Sequence, residues 1–182
     1  MCYRSKGIQH LLMLTLGTGV GGGIIIHGEL YQGNLQRAGH AGHMTVDVNG
    51  PPTMTNMPGS LEYAVGNFSV AERTEGTYHS VRELVEAFEE GVPNARSWWL
   101  ESVKKLAVGL ASLTNILSPE LIVLGGGIAA GADEALLEPL KKYMEEFEWR
   151  PGGYQTEITT AKLGEYAGAT GAAYFIKNKA EN

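Results

Sequence analysis

The sequence predicts an α/β domain, and three features predict it. Leu11 to Leu16 and Ile24-Ile25-Ile26 are short aliphatic runs on either side of a glycine cluster and read as paired, buried strands. A third run, Leu121-Ile122-Val123-Leu124, leads straight into Gly125-Gly126-Gly127 and then to a helix from about Asp133. Between them Trp99, Val103, Leu106, Leu110, Leu113 and Leu117 recur at steps of three and four, the buried face of a long helix over 95–117. The order is a three-stranded antiparallel meander, helices, then strand, helix, strand, helix, in a single domain over 1–182.

Each element follows from its residues. Residues 1–10 are a polar lead-in, and the hairpin fills 11–26. His27-Gly28 turns the chain into Glu29-Leu30-Tyr31, which completes the meander. Residues 32–42 carry Gly33, Gly39 and Gly42 among polar side chains and read as a loop. Ser60-Leu61-Glu62 opens a short helix through Val65, and residues 67–78 read as irregular or weakly helical. Ser80-Val81-Arg82-Glu83 is a capping box for a helix to about Glu90. Gly91-Val92-Pro93-Asn94 separates it from the long helix, whose Trp98-Trp99 start reads as packing and which Ser118-Pro119 ends. Leu136, Leu137, Leu140, Tyr143, Met144 and Phe147 share one face of the following helix. Residues 155–161 alternate as a strand. Residues 163–177 form the last helix, with small residues from Ala167 to Ala173 suited to close packing.

Chemistry is expected first at the glycines. Five of the seven residues from Gly17 to Gly23 are glycine, more than a turn requires, and a glycine-lined tip exposes backbone N–H groups that can wrap a phosphate chain. Gly17, Thr18, Gly19 and Gly21 are the candidate contacts, Thr18 adding a hydroxyl; the alternative is a hairpin that only turns the chain. Gly17-x-Gly19-x-x-Gly22 also has the dinucleotide-fingerprint spacing, but that motif needs a helix next, and here a strand follows. Gly125, Gly126 and Gly127, between strand and helix, form a second candidate nucleotide contact, against the alternative of a tight turn without ligand. His40 and His43, three apart in a loop, read as metal or ligand contacts or as ordinary loop histidines. Glu62 either complements a helix dipole or binds a ligand.

Composition narrows the classes. A net charge of −6 and a pI near 5.4 supply no basic stripe for nucleic acid. The single Cys2 excludes an internal disulfide, no apolar run approaches the length of a membrane span, and the cytoplasm is the expected compartment.

LTLGTGVGGGIIIHGELYQG, AGHAGHMTV, GSLEYAVGN and LIVLGGGIAAGADEALLEPL occur in the order and spacing of the ROK group of sugar kinases and sugar-responsive repressors, and the resemblance covers nearly the whole chain. It implies the C-terminal lobe of an actin-like, ribonuclease H-like ATPase fold that binds ATP, with Mg2+ in the full-length family, and a hexose. By resemblance His43 and Glu62 contact sugar hydroxyls, and His40 stands where the family has Glu, losing a carboxylate's two acceptor oxygens. The family's structural zinc uses a cysteine cluster; here Thr53, Thr55 and Ser60 occupy those places, so no zinc is expected, and Pro51, Pro52 and Pro58 supply stiffness instead. The family's first phosphate loop and its Asn-Asp pair, whose Asp is the general base, have no counterpart in these residues, whose first aspartate is Asp47. The leading expectation is therefore a ROK-type hexokinase or glucokinase lobe, inactive or very weak alone. A separate N-terminal lobe is a candidate partner, and self-association is expected because the small-residue face of the last helix, near Tyr174 and Phe175, would be an uncovered apolar patch. The alternatives are a non-catalytic nucleotide- or sugar-binding module, or an inert scaffold.

Overall fold

Side-chain alternation seats the first strand. In β1 (Leu11–Leu16), Leu12, Leu14 and Leu16 point to one face and are buried, while Thr15 is exposed. The structure, a computed structural model, describes residues 7–53 and 55–162, and the helix expected over 163–177 lies outside them.

β1 is the centre of a five-stranded mixed sheet. β2 (Val20–Ile26) pairs with it antiparallel, and β3 (Glu29–Leu30) pairs antiparallel with β2. β4 (Leu121–Gly125), buried along its whole length, runs parallel to β1, and β5 (Glu157–Thr160) runs parallel to β4. The order is β3-β2-β1-β4-β5. Because Thr15 stands opposite Gly125, the two parallel strands end side by side, and the glycine bends that follow them emerge at the same edge.

The hairpin tip is smaller than the glycines suggest. β2 begins at Val20 rather than at Ile24, so Gly21, Gly22 and Gly23 are strand residues facing Thr15, Leu14 and Met13. Two of them leave room: a Cβ on Gly21 would stand 2.6 Å from Thr15 Oγ1, and one on Gly22 2.4 Å from the carbonyl oxygen of Gly39, where the following loop crosses the strand.

The helices pack on this frame. α1 (Leu61–Val65) is capped by Ser60, and α2 (Val70–Arg73) is a single turn. α3 (Val81–Glu89) has the expected box, Ser80 Oγ accepting from Glu83 N and Glu83 Oε2 accepting from His79 N. α4 (Pro93–Leu117) starts on Pro93, where a missing N–H costs nothing, and buries Trp99, Val103, Leu106 and Leu110. Trp99 Nε1 donates to Ala135 O at 2.9 Å, tying α4 to its neighbour.

That neighbour, α5 (Gly126–Phe147), starts about two turns before Asp133. Asp133, with φ 0° and ψ −87°, is a kink inside it, and the apolar pattern from Leu136 onward marks only the part beyond the kink. The first part is mostly glycine and alanine and so has little pattern, yet it buries Ile128, Ala129 and Ala132. Among the described residues no helix is long and apolar enough to cross a membrane.

Candidate functional site

The two bends share one cleft. A Cβ on Gly126, whose φ is +88°, would lie 2.3 Å from Leu16 O, so the β4–α5 junction rests directly against the end of β1. Beside it opens a cavity of ≈ 650 Å³ with Gly17 and Thr18 on one side, Gly127, Ile128 and Ala132 of α5 on another, and Val81, Arg82, Val85 and Glu86 of α3 opposite. Arg82 and Glu86 form an exposed ion pair at 2.8 Å, so the rim is of mixed charge, and the lining combines apolar Val81, Val85 and Ile128 with polar Thr18 and Asn67.

At the β1–β2 bend the carbonyls are taken. Gly17 O accepts from Asn67 N at 2.9 Å, Thr18 O from Phe68 N at 3.1 Å and Gly19 O from Gly17 N at 3.0 Å. The Thr18 and Gly19 amides make no backbone hydrogen bond among the described residues. The first-turn amides of α5 have no side-chain cap, because its N-cap is Gly125. Donors without acceptors, at a helix N-terminus and an adjacent bend, suit an anion.

Residues 66–69 hold this bend from below. Arg73 donates to Gly66 O, Ser69 Oγ and Ser102 Oγ, and burial pushes its guanidinium down to about 10, still protonated at neutral pH.

A second cluster lies on the other side of the same bend. Leu61 N donates to Met44 O, Thr45 bridges Ser60, and Val46 N and Asp47 N both donate to Gly59 O, so residues 44–47 and 59–61 form a short antiparallel clasp. His43 and Glu62 leave its open end together, with His43 Nδ1 3.4 Å from Glu62 Oε1. That nitrogen is buried and makes no hydrogen bond among the described residues. The His40 ring stacks beside it with centroids 6.1 Å apart, its Nδ1 donating to Arg37 O. The clasp is pinned to α4 by Lys105 Nζ and Asp47 Oδ2 at 3.0 Å, and Lys105 holds the Asp47 carboxyl below its ordinary range.

Of the residues singled out from the sequence, Gly17, Thr18 and Gly127 line the cleft. Gly19 backs onto Glu62 Oε2 at the clasp, Gly21 lies inside β2 opposite Thr15, Gly125 ends β4, and Gly126 touches β1. His40, His43 and Glu62 come together. Asn67, Arg73 and the Asp47–Lys105 pair were not foreseen. Asn67 had one usable signal, an asparagine directly after a helix-ending glycine; the other three are joined only by the tertiary fold.

The residues at the family's zinc positions do not fit a zinc ion. Thr53 and Thr55 pair their hydroxyls with each other at 3.0 Å, and Ser60 Oγ accepts from Tyr63 N as the cap of α1. Neutral hydroxyls already so engaged do not replace thiolates as ligands, and among the described residues no three His, Cys, Asp or Glu side chains are grouped to hold a metal.

Residues 1–179 match the ROK family. An N-acetylmannosamine kinase of Vibrio cholerae is 36% identical over 171 residues, 92% of this chain and 58% of that protein. A glucokinase of Halalkalibacterium halodurans is 33% identical over 191 residues, 95% of this chain and 58% of the relative. Among solved structures, a ROK hexokinase from Thermus thermophilus superposes with a TM-score of 0.85 at 31% identity, covering 93% of this chain and 59% of the other. A ROK glucokinase from Streptomyces griseus, in complex with glucose and AMPPNP, gives 0.80 at 26%, covering 93% and 61%. The chain therefore spans a little under two thirds of the proteins it matches, which are sugar kinases of the actin-like ATPase class. It belongs to the ROK family.

Proposed function

We propose that this chain carries the hexose and nucleotide sites of an ATP-dependent sugar kinase, as the C-terminal lobe of the actin-like, ribonuclease H-like fold, and that these residues alone transfer phosphate slowly or not at all. One observation carries the reading: the Gly17–Gly19 bend borders the cleft on one side and Glu62 on the other. A triphosphate on the bend amides and a sugar on His43 and Glu62 would be neighbours. The relatives support it, being an N-acetylmannosamine kinase and a glucokinase, with a similar structure in complex with glucose and AMPPNP.

Phosphoryl transfer joins a sugar oxygen to the γ-phosphorus, releases ADP and moves the hydroxyl proton to a base. Mg2+ would accompany the nucleotide and offset charge on its phosphates. His43 and Glu62 orient the sugar, and the bend amides and the start of α5 bind phosphate oxygens. Asp47 is committed to Lys105 and to Asn49 N and is not free to serve as the base. We assign the base to an N-terminal lobe outside these residues; without it these residues alone lose about a hundred- to ten-thousand-fold in rate.

The test pairs calorimetry, with a non-hydrolysable ATP analogue and with glucose and N-acetylmannosamine, to a coupled phosphorylation assay. Millimolar or tighter binding of both ligand classes with little turnover is the expected result. Turnover at ordinary kinase rates rejects the lobe reading, and no binding of either ligand rejects the sites.

A further inference from the structure

Asn67 is tied by separate hydrogen bonds to two of the cleft's walls. Its backbone N–H donates to Gly17 O at 2.9 Å, and its Oδ1 accepts from the N–H of Val81, the first residue of α3, at 2.8 Å. Because the backbone N–H of Val81 can only donate, the amide atom facing it is oxygen, so the orientation of this side chain is fixed by chemistry. The other corner of the planar amide, Nδ2 with two hydrogens, has no protein partner among the described residues, while Asn67 lines the cleft beside Gly17 and Thr18. Arg82 is held less firmly: its guanidinium is largely exposed and is tied to Glu86 through Nε.

We infer that Asn67 is a phosphate-binding residue: its Nδ2 donates to an oxygen of the nucleotide's phosphate chain, and its Oδ1 and backbone amide hold that donor at the Gly17–Gly19 bend. This rests on the nucleotide reading of the cleft. A donor held at two points loses little freedom when a ligand arrives, so the hydrogen bond contributes nearly its full value to affinity. Were the side chain only a strut between α3 and the bend, its nitrogen would be irrelevant.

Asn67→Asp separates the two roles. It keeps an acceptor for Val81 N, adds a negative charge that a helix N-terminus favours, and replaces the donor by a charged acceptor that repels phosphate. Asn67→Ala removes strut and donor together. Each variant is titrated with a non-hydrolysable ATP analogue and unfolded in urea. For Asn67→Asp the expected result is an unfolding midpoint equal to or above the parent's, with affinity for the analogue reduced about tenfold or more. Asn67→Ala is expected to fall in both. Analogue binding by Asn67→Asp within about twofold of the parent overturns the inference and leaves the nucleotide reading standing. A parent chain that binds no analogue overturns the nucleotide reading itself.

Discussion

His43 Nδ1 and Glu62 Oε1 stand 3.4 Å apart because their chain neighbours, Met44 and Leu61, are hydrogen-bonded at the open end of a clasp. The pairing is a property of backbone register: slip the clasp by one residue and the two side chains part. The imidazole nitrogen is buried and makes no hydrogen bond among the described residues, while both side chains keep part of their surface exposed, where a carboxylate oxygen can accept from a ligand hydroxyl.

Glu62→Gln keeps the shape and removes the charge. Hexose affinity is expected to fall about tenfold, the loss of one charge-assisted hydrogen bond, with circular dichroism unchanged. Calorimetric titration with glucose and N-acetylmannosamine checks it.

Asp47→Asn tests the pin on the clasp. The folded Asp47 carboxyl is held below its ordinary value, first by the Lys105 hydrogen bond. Its contribution to stability is therefore complete above the unfolded carboxylate range and is lost as pH falls through the depressed folded value. Both side chains are about a third exposed, so the parent should exceed the variant by no more than about 1 kcal/mol at neutral pH, a gap that closes as pH falls through the depressed folded value. Urea titrations across that range measure it.

A chelator should change nothing. With Thr53 and Thr55 paired to each other and Ser60 committed to α1, exhaustive EDTA treatment is expected to leave the melting temperature and hexose affinity unaltered. A lowered melting temperature would reveal a metal that the donor chemistry does not support.

Two adjacent glycines should behave oppositely. Gly126→Ala forces a Cβ to within 2.3 Å of Leu16 O at a φ of +88°, and a loss of at least about 2 kcal/mol is expected from overlap and strain together. A Cβ on Gly127 meets nothing within 4 Å, so Gly127→Ala is expected to hold or raise stability by up to about 1 kcal/mol, while its methyl intrudes on the cleft and weakens nucleotide binding. Urea unfolding and calorimetry separate the two effects.

Much of this was legible in the sequence where one local rule decides the outcome. The β1 run, the capping box at Ser80 and the periodic face of α4 each state their structure within a few residues. The start of α5 was not legible, because glycine and alanine from Gly126 to Ala132 leave helical periodicity without contrast. The extent of β2 was hidden by its glycines, of which Gly22 makes room for the loop that crosses it. His43 and Glu62 could be named by resemblance, but their approach depends on the clasp. Asp47 and Lys105 meet only through the packing of that clasp on α4.

The most direct measurement is a pair of amide-shift titrations on the isotopically labelled chain, one with a non-hydrolysable ATP analogue and one with hexose. The nucleotide is predicted to move Gly17, Thr18 and Gly127, the hexose to move His43 and Glu62, and both to move Gly19, which lies between them. Shifts confined to other regions, or no shifts with either ligand at millimolar concentration, would contradict the claim that this chain carries the two sites around one bend.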